Sequence, residues 1–72
     1  MNYEAIYNSL IERGRYRKLA GYTESHHIVP RCMGGKDDRD NLVDLSPEEH
    51  YLAHQLLIKI HPNHHGVVKA AS

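Results

Sequence analysis

The sequence predicts a small α+β fold: a helix, a β-hairpin and a second helix, in that order. Three observations carry the prediction. Apolar residues recur at helical spacing over residues 3–12. Two short apolar stretches, residues 26–31 and 42–45, flank a loop rich in glycine and aspartate. The segment Ser46-Pro47-Glu48-Glu49 has the make-up of a helix N-terminus. At 72 residues the chain is at most one small domain. Domains of this size often need a metal, disulfides or a partner to be stable.

The first helix rests on Tyr3, Ile6, Tyr7, Leu10 and Ile11, which share one face, with Asn2 placed to cap it. Gly14 is placed to end it. Arg13, Arg15, Arg17 and Lys18, with Tyr16 among them, then read with Gly21 as a basic linker, so residues 1–21 form a helix and its linker. In residues 26–31, Ile28 and Val29 favour a strand that Pro30 ends or holds at an edge. Gly34, Gly35 and the acidic residues up to Asp40 form a loop. Leu42 begins the second strand facing the core, with Val43 a further candidate. Two short strands around such a loop make an antiparallel hairpin with a long connection.

The second helix has the clearest boundary. Ser46 suits the N-cap, Pro47 the first helical position and Glu49 the third position of a capping box. Glu48 and Glu49 also complement the positive end of the helix dipole. Ala53, Leu56, Leu57 and Ile60 supply the apolar stripe, and Pro62 stops the helix soon after Ile60. Residues 62–72 carry no strong pattern and read as a tail.

Nine Lys and Arg balance nine Asp and Glu, so net charge selects no class of partner. Cys32 is the only cysteine, which excludes an internal disulfide and a cysteine-based zinc ribbon. No apolar stretch is long enough to cross a membrane. The N-terminus lacks the basic, apolar and small-residue succession of a signal peptide, so the expectation is a soluble intracellular protein.

Histidine is the unusual component, at seven residues. Imidazole is the commonest metal ligand and the usual general base near neutral pH. His50 and His54 lie four apart on the second helix and so share a side of it. A catalytic zinc-type site takes three protein ligands and keeps a position open. His26 or His27 can supply the third. Neighbours on a strand point to opposite faces, so one binds and the other presents its ring to whatever the metal holds. The plainer alternative is a polar surface that happens to be rich in histidine.

The order His26-His27, Asn41, His50, His54 resembles the HNH endonuclease family and its ββα-metal fold. The flanks agree. Glu24-Ser25-His26-His27-Ile28-Val29-Pro30 is similar to the family's first strand, and Gly34-Gly35 to its glycine-bearing loop. Asn41-Leu42-Val43 resembles the second strand, and Ser46-Pro47-Glu48-Glu49-His50 the helix. The likeness covers residues 22–61 as a nuclease core and leaves out the first helix and the tail.

This resemblance implies a metal held by His26, His50 and His54. It makes His27 the general base that activates water, and Asn41 the brace of the loop. The implied activity is cleavage of DNA phosphodiester bonds leaving 5′-phosphate and 3′-hydroxyl ends. Three imidazoles suit zinc or another transition metal, whereas the family often works with magnesium, so magnesium or manganese stays open for turnover. DNA is the implied partner. Arg31 and Lys36 lie nearest the motif, with Arg15, Arg17, Lys18 and Arg39 as further backbone contacts. Small family members are commonly phage or mobile-element proteins acting in the bacterial cytoplasm. High sequence specificity at this size would need a homodimer or a larger parent assembly. Two rivals remain: a non-catalytic, metal-stabilised nucleic-acid-binding module, and a metal-independent interaction protein.

Overall fold

The computed structural model describes residues 1–70. Helix α1 (Tyr3–Tyr16) leads to strand β1 (Glu24–His27). Two short 3-10 turns, Arg31–Met33 and Arg39–Asn41, lie in the loop before strand β2 (Leu42–Leu45). Helix α2 (Pro47–Ile60) and a short helix α3 (His65–Ala70) follow. The hairpin and α2 with a histidine cluster between them form a ββα-metal arrangement, and α1 completes the core. Among the described residues no helix is long and apolar enough to cross a membrane.

The hairpin is antiparallel, pairing Glu24 with Leu45 and His26 with Val43 on one face, and Ser25 with Asp44 and His27 with Leu42 on the other. The inward face buries Val43 and Leu45 against Tyr7, Leu10 and Ile11 of α1 and Ala53, Leu56 and Leu57 of α2. Val43 and Leu45 therefore form the core face of β2, and Leu42 is only half-buried. The expectation of Leu42 as the inward residue is off by one, because register is set by the partner strand. β1 likewise starts two residues earlier than residues 26–31 suggest. It ends at His27, since beyond it the Asn41 side chain rather than a strand takes the hydrogen bonds of Val29.

Asn2 caps α1 through its side-chain oxygen, which accepts from the Ala5 N–H at 3.0 Å. Gly14 does not end this helix, which continues to Tyr16. A Cβ at Gly14 would lie 2.7 Å from Val43 and 2.9 Å from Leu45, so this glycine is where α1 rests on β2. At α2 both halves of the capping box form: Glu49 N–H donates to Ser46 Oγ and Ser46 N–H to Glu49 Oε1. The same carboxylate takes a bidentate pair from Arg17 at 2.8 and 2.6 Å, which ties the segment after α1 to the start of α2. α3 forms where the sequence carries no pattern, and Val67, 3% exposed, anchors it to the core.

Candidate metal centre

Strand alternation places His26 and Glu24 on the inward face of β1 and His27 on the other. The helical i, i+4 spacing stacks His50 and His54 on the side of α2 that meets them. His26, His50 and His54 come together with one ring nitrogen each, all within 4.8 Å of one another. They are the one such group among the described residues. The three rings lie together, with centroid separations of 4.8–5.4 Å.

The protons on these rings can be assigned from their partners. Tyr7 on α1 has a single hydroxyl proton, donated to the Ile28 carbonyl at 2.7 Å. The Tyr7 oxygen is also 2.7 Å from His26 Nε2 and can only accept there. His26 thus carries its proton on Nε2 and keeps a lone pair on Nδ1. Its pKa is pushed down to about 4, first by burial and then by the neighbouring histidines, so it is neutral near pH 7, as a ligand must be. Burial also raises the Tyr7 pKa and keeps the phenol protonated. On α2, the Glu24 carboxylate accepts from His50 Nδ1–H at 2.8 Å, which leaves Nε2 unprotonated as the nitrogen facing His54. That hydrogen bond, followed by the one from the Tyr22 hydroxyl, holds the Glu24 carboxyl below its ordinary pKa. His54 Nε2 lies 3.1 Å from His50 Nε2, and burial lowers its pKa.

These donors fit a metal. An imidazole nitrogen sits about 2.0–2.1 Å from a zinc-type ion, so small ring rotations would bring all three onto one centre. A carboxylate or hydroxyl behind a ligating imidazole is the usual means of fixing its tautomer and orientation.

His27 stands apart from this group. Its Nε2 is 2.7 Å from Asp37 Oδ1, in the loop. An ionised carboxylate only accepts, so Nε2 donates and Nδ1 is the open, basic nitrogen. The hydrogen bond from His27, then the charge of Arg31, holds Asp37 below the usual carboxylate range. Asn41 closes the loop with three hydrogen bonds. Its Oδ1 accepts from Val29 N–H, and its Nδ2 donates to the carbonyls of Val29 and Lys36. Gly35 packs so tightly beneath that a Cβ there would collide with the Val29 carbonyl.

A cleft of about 440 Å³ opens over the site, lined by His26, His27, Arg31, Cys32, His50 and His54. Cys32 is exposed and borders this cleft rather than packing in the core. The expected cations divide into three groups. Arg31 borders the cleft, with Lys36 exposed on the adjoining loop. Lys18 and Arg39 line a separate concavity beside Arg15. Arg17 is engaged by Glu49. His61 and His64 lie outside the ligand group. Tyr51 is 68% exposed.

Two residues of this site carry no sequence signal for it. Tyr7 reads as part of an apolar helix face, and Asp37 as one charge among several in a mixed loop. Only long-range contacts give them partners.

The chain is similar to several phage T4 proteins. It is 53% identical over 75 aligned positions to the probable mobile endonuclease D, covering 97% of this chain and 29% of that protein. It is 57% identical to the probable mobile endonuclease E (86% of this chain, 45% of that protein). With the probable mobile endonuclease B it shares 61% identity (85% and 25%). The chain therefore spans between a quarter and just under half of each of these relatives. No protein-family model matches the chain, and no solved structure does.

Proposed function

From the premise that this chain belongs to the family of the phage T4 probable mobile endonucleases, we propose that it works as a metal-dependent HNH endonuclease hydrolysing DNA phosphodiester bonds. The observation that carries the reading is the split between adjacent histidines. His26 is buried among His50 and His54, while His27 is turned to the cleft with one nitrogen anchored and the other free.

His26, His50 and His54 would hold one divalent ion. Zinc or another transition metal fits their chemistry, and magnesium or manganese is the alternative for turnover. When bound, such an ion would supply charge neutralisation at the scissile phosphate and at the departing 3′ oxygen. The chain's own residues do the rest. His27 Nδ1 takes a proton from water as its oxygen bonds to phosphorus. The bond from phosphorus to the 3′ oxygen breaks, leaving a 5′-phosphate and, once the departing oxygen is protonated, a 3′-hydroxyl. Asp37 holds the His27 ring in the tautomer that leaves Nδ1 free. Asn41 holds the loop that carries Asp37. Arg31 and Lys36 position the DNA backbone, with Lys18 and Arg39 further out, while Arg17, expected among them, is taken up by Glu49; such contacts carry no sequence information. The setting that fits is a phage or mobile element acting in the bacterial cytoplasm, as a homodimer or within a larger assembly.

Incubation of the protein with supercoiled plasmid and magnesium, manganese, nickel or zinc tests this. Nicking or linearisation is expected, lost with chelator. His27→Ala should lose cleavage by about 10²–10⁴-fold while still binding metal and DNA. If His27→Ala is without effect in every assay, the alternative holds: a non-catalytic, metal-stabilised nucleic-acid-binding module.

A further inference from the structure

We infer that Tyr7 is a positioning residue for the metal centre: from α1 it holds His26 in the Nε2–H tautomer, so that Nδ1 is the nitrogen offered to the ion. The inference rests on the metal-site reading above and assigns the first helix a part in it.

The Tyr7 hydroxyl is in contact with two groups, His26 Nε2 and the Ile28 carbonyl, each at 2.7 Å. The carbonyl can only accept, so the one phenolic proton goes to it and the ring N–H must come from His26. Tyr7 and His26 are 5% and 2% exposed, which leaves little room for water to replace either bond. Both partners sit where the chain leaves β1, so one hydroxyl pins the ligand's ring and the backbone two residues on. Tyr7 is itself placed by the docking of α1, through buried Leu10 and Ile11 and the close approach of Gly14 to β2. The two best-oriented ligands therefore have different supports. His50 leans on a carboxylate of the hairpin, and His26 on a neutral phenol from a separate helix. Either kind of partner fixes a ligand's orientation, and its loss typically weakens metal binding without abolishing it.

Tyr7→Phe keeps the ring and removes only the hydroxyl. In metal-free wild type, nitrogen-15 spectra of the His26 ring should show a protonated Nε2 and an unprotonated Nδ1; in Tyr7→Phe the two tautomers should mix. Cobalt(II), followed by its visible absorption, should bind Tyr7→Phe about 10–100-fold more weakly than wild type. Ile11→Val trims the same buried helix face without touching His26, and its cobalt affinity should stay within about twofold of wild type. Equal weakening in the two variants would reduce Tyr7 to a packing residue and overturn the inference. So would unchanged cobalt affinity in Tyr7→Phe, or a His26 that carries its proton on Nδ1 in wild type. Wild type that takes up no cobalt overturns the metal-site reading itself, and the inference with it.

Discussion

His26 and His27 are chain neighbours in very different surroundings: one is 2% exposed among imidazoles and a phenol, the other has a side chain 29% exposed beside a loop carboxylate. Strand geometry separates them, since consecutive side chains leave a strand on opposite faces. What differs next is the supporting partner. His26 is held from the inside by Tyr7, nineteen residues away on α1, and His27 from the outside by Asp37, ten residues away in the loop. Both partners occupy Nε2 and leave Nδ1 free. On the proposed reading the doublet is a holder and a reagent, each fixed in the same tautomer by a different chemistry.

The largest effects should come from breaking the holder. Zinc at about a hundred times its Kd adds roughly 2.7 kcal/mol to a folded site that binds it. For a domain of this size that is about 10–20 °C in Tm, measurable by a thermal melt and reversed by a chelator. His54→Ala should abolish the shift, whereas His27→Ala should show it in full. An equal loss in both variants would mean that the two neighbours do not divide the work.

Asn41→Ala attacks the clamp beside the reagent. Losing its three hydrogen bonds should cost about 2 kcal/mol in urea unfolding. Cleavage should fall further than zinc affinity, because the released loop carries the partner of His27 and none of the ligands. A smaller change follows from Asp37→Ala, which frees the His27 ring: about tenfold slower plasmid cleavage with unchanged zinc affinity.

Least of all should either histidine feel Glu49, which makes it a control for general stability. Its carboxyl is pushed down to about 2, chiefly by the hydrogen bond from Arg17. In the unfolded chain it titrates near its ordinary 4.5, so protons favour unfolding below that value. Its contribution is present above about pH 4.5 and is lost as pH falls toward 2. Glu49→Gln should flatten the acid limb of the stability curve in that window and leave zinc affinity at neutral pH unchanged.

Much of this was legible in the chain because it is local. Asn2 and the Ser46–Glu49 box cap helices through residues three apart, and the structure places both caps where the pattern puts them. The i, i+4 spacing of His50 and His54 and the alternation of His26 and His27 are likewise properties of a helix and a strand, whatever they pack against. Gly14 shows where this stops. Its intrinsic preference favours ending a helix, yet the close approach of β2 makes the missing Cβ a packing requirement and α1 runs on. The start of β1 and the inward side of β2 depended on the register of two strands meeting. α3 depended on Val67 finding the core, a contact that a six-residue segment does not announce.

By itself, then, the sequence determined which residue types could bind metal or move a proton, and which of them would share a face of their element or stand on opposite ones. Short-range backbone geometry and capping are enough for that. Only the tertiary structure decided which nitrogen each imidazole offers, because a histidine's tautomer is set by the group that meets its other nitrogen. For His26, His50 and His27 those groups are Tyr7, Glu24 and Asp37, brought in from a helix, the facing strand and a loop.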